Sequence, residues 1–166
     1  DRTPGHPWVW SAQVHKPAER LPPGSVVEVV DAKDRFVGRG FWNGHARIAL
    51  RLLSSDPDQA IDADWIAARI ARAVQLRREW LALDQVTDAW RVVHSEGDGL
   101  SGLIVDRYAD ILVIEYFAAG MWKFREAIPA LKKAKAMESP PFVTAYLAFA
   151  YGAAGDRAGA KAEFAE

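Results

Sequence analysis

The hexapeptide GDGLSG at residues 97–102 has the G-x-G-x-x-G spacing of a dinucleotide-binding turn. In that motif a strand leads through the glycines into a helix, whose N-terminus binds the pyrophosphate. Here residues 89–96 alternate like a strand, but residues 103–117 are rich in Ile, Val, Tyr and Phe and show no helical period. The glycines are therefore predicted to form a turn between two strands, at positions that need positive φ.

Around these glycines lie four side chains of the kinds that bind metals or transfer protons: His94, Glu96, Asp98 and Asp106. No further histidine follows them in the chain. Acidic residues beside turn glycines commonly cap the backbone, which is the simpler interpretation. Ser95 and Ser101 do not sit in the strand-to-helix elbow that a serine nucleophile uses. The sequence therefore predicts no catalytic residue and no metal site.

Basic residues with interspersed aromatic residues suggest contacts to RNA. The candidates are Lys33, Arg35, Arg39, Phe41, Arg47, Arg77 and Arg78. In a strand Arg35, Arg39 and Phe41 would share one face, giving a basic and aromatic surface of the kind that looped RNA prefers. An ordinary solvated face remains the alternative, as it does for the arginines of the predicted helix. Trp8 and Trp10 could stack on bases, although one of them is expected in the core.

Composition limits the class of protein. The 166 residues are 50% hydrophobic and carry a net charge of -1, so we expect a globular chain with no overall attraction to nucleic acid. RNA binding would have to come from local patches. The chain has no cysteine, which excludes disulfides, thiolate metal sites and cysteine nucleophiles. No apolar run approaches the ~20 residues that span a bilayer, and no signal peptide is recognised. We therefore expect a cytoplasmic protein without a membrane partner.

The hydrophobic patterns predict an α+β fold. Strands are expected at 25–30 and 35–42, joined by the turn at 31–34, and at 46–53. From residue 62 the period becomes helical, with Asp62 or Asp64 as the N-cap. An antiparallel strand pair is expected over 90–117. An alanine-rich tail of three predicted helices follows, in which Trp122, Phe124, Ile128 and Leu131 recur at near-helical spacing and are expected to pack on the sheet.

Three segments in the front part of the chain resemble one family. They are GHPWVWSAQVHK at 5–16, GSVVEVVDAKDRFVGRGFWN at 24–43 and RVVHSEGDGLSGLIVDRYADILVIEYF at 91–117. Together they resemble the N-terminal part of bacterial large-subunit (23S) rRNA cytosine-C5 methyltransferases, which use S-adenosylmethionine. The resemblance implies a PUA-like β-barrel that binds rRNA, followed by a central hairpin domain. GDGLSGLIVDRY is similar to the signature of that central domain, which usually has proline in place of Ser101.

The chain departs from that family after residue 120. The resemblance would require a Rossmann-like domain with a cofactor loop and a cysteine that adds to the cytosine ring. The 46 residues after residue 120 are fewer than the ~150 of a doubly wound domain, and no cysteine is present. The expectation is therefore that this chain alone binds no S-adenosylmethionine and transfers no methyl group.

The tail resembles a tetratricopeptide repeat, through the small and large positions of LAFAYGAAGDRAGAKAEF at 147–164. The predicted domains are a PUA-like domain at 1–62, a linking helix at 63–84, a central hairpin fragment at 85–120 and repeat-like helices at 121–166. Two functions follow as hypotheses. The first is an rRNA-binding module. The alternative is a protein-interaction module, with a protein partner or a second copy bound through the tail. A fusion or truncation product with no selected function is a further possibility.

Overall fold

The computed structural model describes residues 6–125 and 146–149, and its first sheet contains four antiparallel strands. These are β1 (Trp8–Trp10), β2 (Ser25–Val30), β3 (Phe36–Trp42) and β4 (Ile48–Ser54), in the order β1-β4-β3-β2. The strands predicted at 25–30 and 35–42 are confirmed to within one residue. The third strand starts two residues later than predicted and ends at Ser54.

Close packing of strands β3 and β4 depends on a glycine. A Cβ atom on Gly40 would lie 2.1 Å from the carbonyl oxygen of Arg51. The register between the two strands also shifts at Arg39 and Gly40, which is a bulge. The side chains beyond this bulge divide between two clusters, since Phe41 enters the main core and Trp42 packs with Leu50 in a smaller cluster.

The second sheet is built from β5 (Ala89–His94), β6 (Leu103–Tyr108), β7 (Ile111–Tyr116) and β8 (Tyr146–Phe149), in that order. The first three strands are antiparallel. The predicted second strand over 103–117 is two strands, because Ala109 adopts a positive φ of 53° in a tight turn that carries no glycine. The prediction of a single strand pair was therefore wrong, because this segment forms three strands.

The tail prediction fails at the four residues of β8. These residues form a strand that runs parallel to β7, not a helix. An edge strand such as β7 offers unpaired backbone groups, which a Tyr-Leu-Ala-Phe segment can pair in extended conformation. The predicted tail helices over 126–145 and 150–166, including Ile128 and Leu131, lie outside the described residues.

Helix α1 (Ala63–Gln75) links the two sheets, as the helical period predicted. Its N-cap is Asp62, whose Oδ1 accepts a 2.8 Å hydrogen bond from the backbone N–H of Trp65. The helix buries one face through Trp65, Ile66, Ile70 and Ala73. It continues into a π-helical turn at Leu76–Trp80.

One apolar core joins both sheets and the helix. It contains Phe41 and Leu53 of the first sheet, the buried face of α1, and the inner face of the second sheet from Val92 to Tyr116. The short helix α2 (Ala119–Lys123) adds Met121, and Trp122 and Phe124 pack against the same core, as their spacing predicted. No helix in the described ranges is long and apolar enough to cross a membrane.

The GDGLSG segment is a turn between strands, as predicted. Residues Ser95–Asp98 form a 3-10 turn, and strand β6 begins at Leu103. Gly99 and Gly102 have φ values of 70° and 89°. In addition, a Cβ on Gly102 would lie 2.4 Å from the Cβ of Ala118. The glycines therefore serve backbone conformation and close packing, and no helix follows to bind a pyrophosphate.

Replacing Gly102 with alanine tests this role. We expect Gly102→Ala to lower the free energy of unfolding by about 1–3 kcal/mol, because the new Cβ meets both a positive φ and Ala118. Gly97→Ala is the matched control in the same loop, where the added Cβ would meet only the edge of the exposed His94 ring. Urea unfolding of both variants measures the difference. Equal losses would contradict the assignment.

Candidate nucleic-acid interface

Arg35 and Lys33 belong to the turn between β2 and β3. The Asp31 carboxylate accepts the backbone N–H groups of Lys33 and Arg35 and also pairs with the Arg35 guanidinium at 2.7 Å. These hydrogen bonds hold the pKa of Asp31 well below its usual range, and the bond from the Arg35 side chain contributes more than the two backbone bonds. Arg35 still has 63% of its side chain exposed. Lys33 is exposed and forms no ion pair within the described ranges.

The face predicted to combine Arg35, Arg39 and Phe41 is not formed. Strand β3 starts only at Phe36, and its register against β2 shifts between Phe36 and Gly38, which interrupts the alternation. Arg39 is tied down, since it pairs with Glu28 and donates to the carbonyl oxygen of Gln59 at 2.6 Å. Phe41 is 3% exposed in the main core. Its ring therefore cannot stack on a base.

The two helix arginines are also engaged. Arg77 pairs with Asp98 at 2.6 Å, and their side chains are only 11% and 7% exposed. Arg77 donates further to the carbonyl oxygens of Ala73 and Arg91, so it fastens α1 to the turn before β6. Arg78 pairs with Asp84 at 3.0 Å. These contacts leave Arg77 with a structural role.

Arg47 is the sequence candidate with the most open surroundings. It precedes β4, is exposed, and forms no ion pair in the described part of the chain. Its carbonyl oxygen accepts the backbone N–H of Ser11 at 2.9 Å, which fixes the loop beside β1. Of the seven candidates, Lys33 and Arg47 thus retain both exposure and an uncompensated charge.

A polar cluster that sequence reasoning missed joins the two sheets at Glu96. A single carboxylate oxygen, Oε1, accepts hydrogen bonds from Trp8 Nε1 at 2.7 Å, Ser101 Oγ at 2.6 Å and Arg51 Nη1 at 3.1 Å. Trp8 and Arg51 come from the first sheet, whereas Glu96 and Ser101 flank the turn before β6. We call these four residues the Glu96 cluster.

Partial burial and hydrogen bonds act in opposite directions on the charge of Glu96. Burial by itself raises the pKa of Glu96, but hydrogen bonds from Ser101, Ser95 and Trp8 outweigh it and lower the pKa from 4.5 to about 2. Burial also lowers the pKa of Arg51 despite the attraction of Glu96. The Arg51 guanidinium lies 5.1 Å from the centre of the Trp8 ring, as in a cation–π contact. Both charges are therefore held at neutral pH.

The other acidic residues near the turn also have structural partners. Asp98 accepts the backbone N–H of His94 and pairs with Arg77, in line with the predicted capping role. Asp106 pairs with Arg91 at 2.8 Å. Across residues 6–125 and 146–149, no group of three or more His, Asp or Glu side chains is placed to hold a metal ion.

A cleft of about 470 Å³ opens where the first sheet meets the segment that follows β7. Its rim includes Trp10 and Phe117, whose exposed fractions are 45% and 44%, together with His45 and Arg47. Its floor is closed where the backbone of Gly120 packs against the ring of Phe41. A Cβ on Gly120 would overlap the ring of Phe41, at 2.1 Å from its Cγ.

Trp10 is the rim residue whose position depends on the Glu96 cluster. Its ring lies edge-on to Trp8 at a centroid distance of 6.4 Å, and the Trp8 indole N–H is bound to Glu96. Of the two tryptophans weighed as base-stacking or core residues, Trp8 is thus half-buried in this cluster. Trp10 remains available at the surface.

Removing the charge of Glu96 tests the cluster. Because the folded-state pKa lies below the ordinary value, ionised Glu96 stabilises the fold above about pH 4.5, and this contribution is lost as the pH falls towards 2. We expect Glu96→Gln to lower the free energy of unfolding at pH 7 by about 1–2 kcal/mol, allowing for solvent screening. The difference from wild type should shrink with acidification. Exposed Glu19→Gln is the control, and a pH-independent difference would contradict the assignment.

Comparison with known proteins supports this picture of the front of the chain. Residues 3–55 match the model of a PUA-like domain. The chain is 41% identical over 123 residues to the ribosomal RNA large subunit methyltransferase I of Shewanella amazonensis. The matched region covers 74% of this chain and 31% of that protein. The corresponding protein of Erwinia tasmaniensis is 35% identical over 123 residues, with the same coverage of both chains. The chain thus spans about a third of the length of these relatives.

Solved structures agree on the fold. One assigned as a SAM-dependent methyltransferase from Streptococcus mutans superposes with a TM-score of 0.66 at 18% identity, over 84% of this chain and 35% of the other. A second structure, assigned as a methyltransferase and complexed with SAH, superposes with a TM-score of 0.69 at 19% identity, over 86% of this chain and 36% of the other. The chain therefore carries a PUA-like domain and is homologous to the N-terminal part of bacterial ribosomal RNA large subunit methyltransferases.

Proposed function

We propose that this chain is the rRNA-binding front part of a bacterial methyltransferase that modifies large-subunit rRNA. The observation that carries the proposal is the similarity to ribosomal RNA large subunit methyltransferase I, which extends over 74% of the chain and includes the PUA-like domain. In this proposal residues 6–125 bind and orient the RNA. The chain would act in the cytoplasm, where bacterial rRNA is made.

The distribution of charge supports a local contact surface. The net charge of -1 gives no general attraction to RNA, and six of the twelve arginines of the described part are paired with carboxylates. Arg47 and Lys33 are exposed without an ion pair there, and Arg47 borders the cleft. Phosphate contacts from such cations supply affinity, whereas contacts to bases supply specificity.

Methyl transfer itself is not part of the function that we propose for this chain. The cysteine that the cytosine-C5 chemistry requires does not occur among its 166 residues. The only sequence that matched a dinucleotide fingerprint lies between two strands and lacks the following helix. The proposal accordingly assigns S-adenosylmethionine to regions of the relatives that this chain does not match. A protein-interaction role through tetratricopeptide helices has no support from residues 146–149, which form a strand.

Salt-dependent binding to 23S rRNA fragments tests the proposed function. We expect the full chain to bind structured fragments with an affinity that falls as salt rises, since each neutralised phosphate releases counterions. Arg47→Glu should weaken binding at least tenfold, about 1.4 kcal/mol or more, and flatten the salt dependence.

Arg72→Glu is the matched control, because Arg72 is an exposed arginine of α1 outside the PUA-like domain. Fluorescence anisotropy at two salt concentrations measures both variants. If the wild-type chain does not bind the fragments at low salt, the proposed function is contradicted. An equal loss in both variants would argue for diffuse attraction instead of a local surface.

A further inference from the structure

We propose that the cleft beside Trp10 binds one unpaired nucleotide of the RNA. The base would stack on the aromatic rim formed by Trp10 and Phe117, and its phosphate would pair with Arg47. This inference rests on the proposed RNA-binding function and names the part of the RNA that the surface selects.

The aromatic rim is the first observation. Trp10 and Phe117 come from opposite ends of the described chain, yet both line this cleft and keep about half of their surface exposed. Exposed aromatic side chains beside a cavity provide stacking platforms for bases, and stacking requires a base that is not already paired inside a duplex. Trp10 is also oriented through Trp8, so the platform is formed before RNA arrives.

The charge of the cleft is the second observation. Its described lining includes His45, Arg47 and Arg51 but no aspartate or glutamate. Arg51 is compensated by Glu96, which leaves Arg47 as the exposed cation at the rim. A positively charged rim beside aromatic rings complements a nucleotide, which carries its negative charge on the phosphate and its flat apolar surface on the base.

The size of the cleft is the third observation. Its volume of about 470 Å³ falls within the range of about 300–1,000 Å³ of pockets that hold small organic ligands. Such a pocket admits an extruded nucleotide and not a stacked duplex. Asn43 also lines it, and its side-chain oxygen accepts the backbone N–H of His45, which directs its NH₂ group away from that bond. An amide at this position can donate to the edge of a base.

The experiment compares a short fluorescein-labelled RNA duplex carrying one bulged nucleotide with the same duplex without the bulge. We expect the full wild-type chain to prefer the bulged RNA. Trp10→Ala and Phe117→Ala should each weaken binding to the bulged RNA by about 5- to 100-fold and leave binding to the plain duplex unchanged. Trp10→Phe keeps an aromatic ring and should restore most of the preference.

Trp80→Ala is the matched control, since Trp80 is 79% exposed and does not line the cleft. Thermal unfolding checks that each variant is folded. Arg47→Gln is a further cleft variant, at an exposed residue that is not part of the core. If the cleft variants bind both RNAs as wild type does, whether or not they lose stability, the cleft is a packing surface. The inference then fails while RNA binding stands. If wild type binds neither RNA, the proposed function fails and the inference falls with it.

Discussion

Hydrogen bonds to a single carboxylate oxygen of Glu96 link the two sheets of this protein and fix their relative position. This oxygen accepts hydrogen bonds from Trp8, Arg51 and Ser101, so one acidic group in a turn of the second sheet satisfies donors from two strands of the first. The arrangement suits a half-buried site, because leaving the Arg51 charge without its partner there would be costly. Ser101, in the segment before β6, supplies one of the three donors. The cluster thereby sets the position of Trp8 and, through it, of Trp10.

Apolar packing also joins the two sheets that the Glu96 cluster links. Phe41 of the first sheet packs with Phe124 at a centroid distance of 6.0 Å, and Tyr116 packs edge-on against Trp122 at 5.4 Å. Helix α1 contributes its buried face to the same core, and the Arg77–Asp98 pair fastens it to the turn. The PUA-like domain and the second sheet therefore share one core, and the cleft between Trp10 and Phe117 has a closed floor.

Local patterns predicted the local elements well. The alternation of β2 and β3, the helical period after Asp62 and the turn character of Gly99 and Gly102 could all be read from residues near in sequence. Contacts between residues that are distant in sequence could not be predicted from such patterns. Phe41 has the same alternation as a surface aromatic residue, and only its packing against α2 and the second sheet places it in the core. Glu96 finds Trp8 across 88 positions, and no spacing rule connects them. Arg77 looked available because its carboxylate partner, Asp98, lies 21 positions further along the chain.

Native-state amide hydrogen exchange tests most directly whether the two sheets form one cooperative unit around Glu96. The decisive amides are those of β4 and β6, which belong to different sheets but contribute Leu53, Leu103 and Val105 to the same core. We expect both sets of amides to exchange through openings of nearly equal free energy, and this free energy to match that of global unfolding. A first sheet that opens at a clearly lower free energy than β6 would contradict it, because the cluster would then not couple the sheets.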